Sequence, residues 1–229
     1  MEIEQTNGYG IAISDLEGNW DDAFKSKLKK GAQKIISSRL TLLQQLKLLY
    51  LYNREKSRAG KLDLSDIKAK GMTNMLFISQ QLEYIAMFSA LAQVLDKERA
   101  IEILCHVMEA TSVEAFSKSS PEKEAIEKHG DAFTFFRKYF QPLPDACAKA
   151  GCLDMRLSED GPACFQFDIH WCVWLELAKK MEVPEACLPN CYADDFAYPG
   201  YFKKYGIRYS RKGTLAQGAQ ICDLRFERI

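Results

Sequence analysis

Short motifs that identify nucleotide-dependent or zinc-peptidase chemistry are missing from this sequence. Its 229 residues contain no GxxxxGKS/T, no HExxH, no GxSxG and no GxGxxG placed after a strand. A net charge is missing too, because 31 basic and 31 acidic residues cancel, so no overall field attracts nucleic acid or an anionic membrane. We therefore expect no cofactor and no nucleic-acid partner.

An unbroken apolar run is lacking as well. The most apolar long stretch, residues 75 to 95, is interrupted by Gln80, Gln81 and Glu83, which the centre of a membrane would hardly tolerate. The N-terminal MEIEQTNGYG begins acidic and lacks the basic and apolar regions of a secretory signal. We expect a buried helix over residues 75 to 95, a cytoplasmic location and no membrane partner.

Cysteine is plentiful, but its spacing matches no common motif. There are eight cysteines and no CxxC pair, and the intervals between them fit neither a zinc ribbon nor a zinc finger. In a reducing compartment an even number of cysteines does not indicate disulfides. A metal site whose ligands are brought together only by folding stays open.

The first half of the chain has the periodicity of helices. From Asn19 to about Arg58, apolar residues recur at helical spacing and form two adjacent stripes. The stripes consist of Ile35, Leu42, Leu46 and Leu49, and of Ile36, Leu40, Leu43 and Tyr50. The pattern predicts one helix whose wide apolar face belongs to the core or, alternatively, packs against a second subunit, and the second case would give a homodimer.

Two more helices are predicted in this half, one from about Met72 to Val94 and one that begins after the N-cap residue Asp96. The polar segment 118–130 contains a proline and ends in glycine, which predicts a loop and a domain boundary. The predicted organisation is a helical region over 1–117 and an α+β region over 131–229, or one continuous domain.

In the second half the hydrophobic period changes from about 3.6 residues to two. The Asp160-Gly161 pair separates two alternating runs, which is a hairpin signal, and His170 ends the second run on its polar side. Helices are predicted over 171–183 and 194–206, and the strands IRYSRKG and QICDLRFERI follow. The pattern predicts an α+β fold in which a helical N-terminal layer packs on a mostly antiparallel sheet of about four strands.

Residues able to perform chemistry are concentrated in the last third of the chain. They are Asp168, His170, Cys172, Cys187, Cys191, Asp194, Asp195, Cys222, Asp223 and Arg225. A thiolate is a strong nucleophile near neutral pH, and a nearby histidine can take its proton. Because His170 is the only histidine in this region, it is the candidate base.

The same region carries a family resemblance. The run from His170 to Phe226, with Cys172, the PNCYADD segment and TLAQGAQICDLRF, is similar to the L-2-amino-thiazoline-4-carboxylic acid hydrolase family, whose members end in Thr-Leu-Ala-x-Gly and Cys-Asp-Phe-Arg-Phe. Leu224 stands where that family usually has phenylalanine, which keeps the strand apolar. More distantly, a glycine followed by a cysteine in the final strand resembles the vinyl reductase domain and Golgi transport subunits, which are dimeric α+β folds.

The first resemblance implies a hydrolase that opens a cyclic isothiourea by adding water to the carbon between nitrogen and sulfur. Such a carbon reacts as a cation, which a carboxylate pair would hold by charge-assisted hydrogen bonds. The predicted catalytic residues are Cys191, His170, Asp194 and Cys222. The predicted substrate-binding residues are Asp223, Thr214 and Arg225, with Arg211 as an alternative guanidinium for the carboxylate of a small-molecule substrate.

Between the two candidate nucleophiles, Cys191 is preferred. Strand alternation places Cys222 on the apolar side with Leu224, where burial raises the pKa of a thiol, whereas Cys191 is predicted in a polar loop just before Asp194. Other interpretations stay open: both thiols as packing residues, and Asp194 as the N-cap of the following helix. Cys147, Cys152, Cys164 and Cys187 are interpreted as packing.

A different function also stays open. The chain could be a non-catalytic module of the vinyl reductase domain type that binds a small ligand or a metal. In that case the predicted ligands are Cys172, Cys191, Cys222 and His170, since soft thiolates and imidazole suit transition metals.

Overall fold

A computed structural model describes residues 21–229, which form ten α-helices and one four-stranded sheet. The helices are α1 (Asp22–Ser38), α2 (Leu42–Ala59), α3 (Ser65–Ala69), α4 (Met75–Val94), α5 (Lys97–Ser119), α6 (Lys123–His129), α7 (Ala132–Phe140), α8 (Leu143–Ala150), α9 (Val173–Lys180) and α10 (Leu188–Lys203). The strands are β1 (Leu153–Asp160), β2 (Cys164–Cys172), β3 (Ile207–Ser210) and β4 (Cys222–Arg228). The predicted α+β class is confirmed.

The long first helix of the sequence prediction is two helices. The chain breaks after Ser38, and Thr41 starts α2 with a reciprocal capping box. The backbone N–H of Gln44 donates to the Thr41 hydroxyl at 3.3 Å, and the Gln44 side chain accepts from the Thr41 N–H at 2.9 Å. The prediction of one helix was therefore wrong, and its predicted start at Asn19 lies outside the described residues.

This break changes which side of the second helix faces the core. Leu42, Leu43, Leu46, Leu49 and Tyr50 are between 59% and 79% exposed. The buried leucines of α2 are instead Leu48 and Leu51. The prediction that these five exposed residues belong to the core was wrong. The homodimer in which a second subunit would cover them stays a prediction.

Helix α4 is the central apolar helix. Nine of its residues are buried, among them Phe88 and Leu91 with no exposed surface. It is long and apolar enough to span a membrane by length and composition, and half of its most apolar 18-residue window is buried inside the protein. The cytoplasmic location stays a prediction.

The predicted start of the next helix is confirmed at Asp96, whose carboxylate accepts a hydrogen bond from the Arg99 N–H at 2.7 Å. The segment 118–130 is more ordered than a loop, because α5 continues to Ser119 and α6 follows. Gly130 ends α6 with φ of 79°, a conformation that favours glycine. The division into two domains at this segment stays a prediction.

The four strands are antiparallel in the order β1-β2-β4-β3, so the first hairpin lies beside the C-terminal strand. The predicted turn is confirmed by a hydrogen bond of 2.8 Å from the Gly161 N–H to the Cys164 carbonyl. Aromatic residues join the helices to the sheet. Phe202 of α10 lies 5.0 Å, between ring centroids, from Phe136 of α7 and also from Phe226 of β4.

The helix before β3 is longer than predicted. The sequence predicted a helix from Asp194 onward after a polar loop, whereas α10 begins at Leu188 and continues past Pro199. Pro189 lies in its first turn, where a missing N–H costs no hydrogen bond. Cys191 is therefore helical, and Asp194 lies inside the helix rather than at its N-cap.

Candidate functional site

The candidate site is built on the first three turns of α10. Cys187, Cys191, Asp194 and Tyr198 follow one another at intervals of four, three and four residues. Residues spaced in this way lie on one face of a helix. The early start of α10 therefore aligns two thiols, a carboxyl group and a phenol along one line.

Arg211, in the segment after β3, packs against this face. Its Nη2 donates to the Cys191 carbonyl and to Asp195 Oδ2, both at 2.5 Å, and its Nη1 lies 3.4 Å from Asp194 Oδ2. The Arg211 side chain is 6% exposed. Burial disfavours its charge, but the facing Tyr209 and carboxylates outweigh that effect and raise its pKa.

Asp194 has an acidity suited to proton transfer. Loss of solvation raises the pKa of its carboxyl group to about 6, although Arg211 and a hydrogen bond from the Tyr198 hydroxyl act in the opposite direction and Asp195 adds to the rise. About a third of its side chain remains exposed. Both protonation states of Asp194 are therefore accessible close to neutral pH.

Cys191 is the most acidic thiol of the group. Its sulfur lies 3.9 Å from the sulfur of Cys187, and the hydrogen bond between them lowers the pKa of Cys191. The pKa of Cys187 is raised, first by a hydrogen bond with Cys172 and then by the one with Cys191. Arg211 and a hydrogen bond from Thr214 lower the pKa of Cys191 further, against the opposing effect of burial. Cys187, which the sequence analysis assigned to packing, is indeed buried and also supports the Cys191 thiolate.

Thr214 and Cys222 complete the surroundings of the thiol pair. Thr214 is 1% exposed and caps the short 3-10 turn Leu215–Gln217. The first amide of that turn, Leu215 N–H, donates to Cys222 Sγ at 3.1 Å. Burial raises the pKa of Cys222 to about 12, as expected from its apolar side of the strand, and the charges of Cys191 and Cys172 add to it.

Two tyrosine hydroxyls near the site are buried without a hydrogen-bond partner among the described residues. One belongs to Tyr84 of α4, whose pKa is raised by burial and further by the nearby thiols, among them Cys187 and Cys191. The other belongs to Tyr209 of β3, which is 8% exposed and faces Asp194 and Arg211. Each of these hydroxyls therefore has an unused hydrogen-bonding capacity beside the site.

His170 is not brought to the thiols. Trp171 pairs with Asp154 and Ile169 with Met155, so His170 is the extra residue of a β-bulge. Its side chain is exposed and makes no hydrogen bond or ion pair with any residue of the described 21–229 range. The bulge reverses the alternation beyond it and leaves the following Cys172 packed against the core.

Two predicted substrate-binding residues lie on the other face of the sheet. Asp223 is buried and accepts hydrogen bonds from backbone N–H groups of the loop after β3. Arg225 donates to Glu159 at 2.6 Å and to Gln166 at 3.0 Å, away from Cys191. The structure brings together Cys191, Asp194, Cys222 and Thr214, and the guanidinium beside them belongs to Arg211 rather than to Arg225.

The alternative metal set is not assembled. Within the described part of the chain, no group of three or more His, Cys, Asp or Glu side chains is arranged to hold a metal ion. A cavity of about 570 Å³ lies elsewhere, between α2, α3 and α4, and its lining includes Lys56, Asp63 and Met75. None of the residues that line it belongs to the thiol site.

Sequence reasoning missed several neighbours of the site. Tyr84 lies far away in the chain, and nothing in its local sequence distinguishes it from other residues of an apolar helix. Cys187 and Tyr198 could have been found from their four-residue spacing to Cys191 and Asp194, had the helix been predicted from Leu188.

Comparison with known proteins identifies the family of the chain. The sequence model of L-2-amino-thiazoline-4-carboxylic acid hydrolases matches residues 76–226, a range that includes α4 except its first residue, the sheet except its last residues, and every residue of the site. No curated protein and no solved structure matches the chain. Because the match extends over well more than half of the 229 residues, the chain belongs to the L-2-amino-thiazoline-4-carboxylic acid hydrolase family.

Proposed function

We propose that this protein hydrolyses 2-amino-thiazoline-4-carboxylate or a closely related cyclic isothiourea, with Cys191 as the nucleophile and Asp194 as the acid and base. The observation that carries the proposal is the alignment of these two residues on one helix face beside Arg211. A thiol whose pKa is lowered and a carboxyl group with a pKa of about 6 are a complementary pair for ring opening.

The electrophile is the ring carbon that carries the amino group. In its protonated form the amidine is a cation, and the Cys191 thiolate balances its charge while Asp194 holds its proton and Asp195 pairs with Arg211. The Tyr84 and Tyr209 hydroxyls, both without a partner among the described residues, are available to donate to the substrate carboxylate. The Arg211 guanidinium is bonded to α10 and does not bind the substrate. Its charge acts to lower the pKa values of Cys191 and Asp194.

The reaction then proceeds in two displacements. The Cys191 thiolate attacks the ring carbon, the bond from that carbon to the ring sulfur breaks, and Asp194 gives its proton to the departing sulfur. Water next attacks the same carbon while Asp194 takes a proton from it, and the bond to Cys191 breaks. The product is a urea with a free thiol, heavier than the substrate by one water, and the amidinium proton goes to solvent.

The test is incubation of the purified protein with 2-amino-thiazoline-4-carboxylate, with the product identified by mass spectrometry. We expect a product heavier by one water, and we expect Cys191→Ala to reduce turnover to the uncatalysed rate. Asp194→Asn should reduce kcat by about a hundredfold or more, since a positioned acid or base contributes about 100 to 10,000-fold.

Cys164→Ala is the matched control, because Cys164 is a buried thiol of the same sheet. It lies at the start of β2, eight residues and roughly 26 Å from Cys172 at the end of that strand. Full turnover by Cys191→Ala would overturn the assignment of Cys191 as the nucleophile. No turnover by the unaltered protein would overturn the proposed substrate.

A further inference from the structure

Cys187 and Cys191 form a thiol pair at the start of α10. Their sulfur atoms are 3.9 Å apart, within hydrogen-bond distance for two thiols, and both cysteines are free. Cys187 is 3% exposed, whereas Cys191 is only partly buried. Cys191 is thus the more exposed member of the pair, and its sulfur lies next to that of Cys187.

The two sulfurs have different chemical characters. Cys191 is the better thiolate because Cys187 donates a hydrogen bond to it and because Arg211 lies nearby. Cys187 stays protonated, with hydrogen bonds to Cys172 and Cys191 raising its pKa. A partly exposed thiolate next to a protonated thiol is the arrangement found where cysteines are oxidised reversibly.

We propose that this pair is a modification site for hydroperoxides, in which Cys191 is oxidised first and Cys187 then closes a disulfide with it. The Cys191 sulfur attacks one peroxide oxygen and the O–O bond breaks, which gives Cys191 sulfenic acid and, for hydrogen peroxide, one water. The Cys187 sulfur then attacks the Cys191 sulfur, the S–O bond breaks, and the hydroxyl leaves as a second water with the Cys187 proton. Two thiols are oxidised and one peroxide is reduced.

The local backbone permits this closure after a modest adjustment. Residues four apart in a helix have Cα atoms about 6.2 Å apart, within the range of roughly 4.4 to 6.8 Å that disulfides tolerate. Cβ atoms at this spacing lie about 5 to 6 Å apart, so the first turn must tighten by about 1 to 2 Å to reach disulfide geometry. Cys187 is the N-cap of α10 and makes no side-chain cap hydrogen bond, so this turn can move while few hydrogen bonds are lost.

The consequence is a reversible block of the site. In the disulfide, Cys191 has no thiolate and the first turn of α10 is displaced from Arg211. The proposal does not depend on the hydrolase reaction, because it concerns only the two sulfurs and a peroxide. A protein with no turnover of the thiazoline could still form this disulfide, so the two proposals fail separately.

The experiment oxidises the reduced full chain with hydrogen peroxide, alkylates the remaining thiols and maps tryptic peptides by mass spectrometry. Cys187 and Cys191 lie in one tryptic peptide, residues 181–203. We expect that peptide to lose two hydrogen atoms and to escape alkylation, and dithiothreitol to reverse both changes. Oxidation should be faster than at partly buried Cys105, because burial raises the pKa of Cys105 whereas the pKa of Cys191 is lowered, and the thiolate is the form that reacts.

Variants separate the two roles. In Cys187→Ser we expect Cys191 sulfenic acid to accumulate and to be trapped by dimedone, and in Cys191→Ser we expect Cys187 to stay reduced. Cys164→Ala is the control and should behave as the unaltered protein. The proposal is overturned if peptide 181–203 stays reduced while Cys105 is oxidised, or if Cys191 forms its disulfide with Cys172 or Cys222 instead. The mapping of the unaltered protein decides the question even where a variant does not fold.

Discussion

The carboxylate of Asp223 lies directly against the backbone of Lys212, and its Oδ1 accepts the Lys212 N–H at 2.9 Å. The same oxygen accepts the Gly213 N–H at 3.1 Å. Asp223 thereby fixes the loop that carries Arg211 on one side and Thr214 on the other. Asp223 therefore acts on the site indirectly: from the final strand it positions Arg211 and Thr214, which lie beside Cys191.

Asp223→Ala should therefore destabilise the protein and disorder this loop. Each buried amide left without an acceptor costs about 1–3 kcal/mol, so we expect the free energy of unfolding to fall by roughly 2–4 kcal/mol in urea titrations. Asp223→Asn keeps one acceptor oxygen and should lose less. Asp168→Ala is the control, because Asp168 pairs with Asp223 across the strands but, within residues 21–229, its side chain bonds only the side chain of Gln166. Equal losses at both positions would contradict the loop-fixing role.

The exposed face of α2 gives a second prediction. Leu46→Lys and Leu49→Lys should each change the free energy of unfolding by less than about 0.5 kcal/mol, because surface substitutions away from special contacts have small effects. Leu48→Ala, at a buried position of the same helix, should cost about 2–5 kcal/mol. The measurement is urea unfolding at two protein concentrations. A large, concentration-dependent loss at Leu46 would instead indicate the predicted homodimer.

The reactivity of the thiols gives a third prediction. At neutral pH, iodoacetamide should modify Cys191 well before Cys222, because the pKa of Cys191 is lowered while burial raises that of Cys222 to about 12. Arg211→Met removes a nearby positive charge and should slow alkylation of Cys191. Lys212→Met removes an adjacent exposed charge and is the matched control. Alkylation followed by peptide mapping measures the rates, and equal rates for the two cysteines would refute the assignment.

The sequence could predict what local patterns determine. The hairpin at Asp160-Gly161 and the cap at Asp96 depend on residues a few positions apart, and both are confirmed. The break before α2 was missed because the Thr41 capping box lies inside an apolar period that continues through it. Helical periodicity alone does not reveal a change of helix axis.

The site was only partly predictable, for a related reason. Cys191 and Asp194 were chosen for their chemistry, but Cys191 was predicted in a polar loop, whereas α10 already begins at Leu188 with Pro189 in its first turn, where proline is tolerated. The choice between Arg211 and Arg225 depends on which segment packs on α10, and this is a tertiary contact that no local pattern specifies. The bulge that exposes His170 likewise depends on pairing with β1.

The pKa of Asp194 gives the last prediction, a pH dependence of stability. Its folded pKa of about 6 is higher than the value of about 3.9 for an unfolded aspartate, so the folded state binds this proton more tightly. The stability that Asp194 contributes is fully present below about pH 4 and is lost as the pH rises through about 6. Asp194→Asn cannot lose a proton, so the free energy of unfolding of the variant relative to the unaltered protein should rise across this window.

Urea unfolding of both proteins between about pH 4 and 8 measures the difference. Asp145→Asn, at an exposed position of α8, controls for the general effect of removing a negative charge. We expect the Asp194→Asn curve to diverge from that of the unaltered protein above about pH 5 and the Asp145→Asn curve to run parallel to it. Parallel curves for Asp194→Asn as well would mean that this carboxyl group titrates alike in the folded and unfolded states, and Asp194 would lose its assignment as the acid and base.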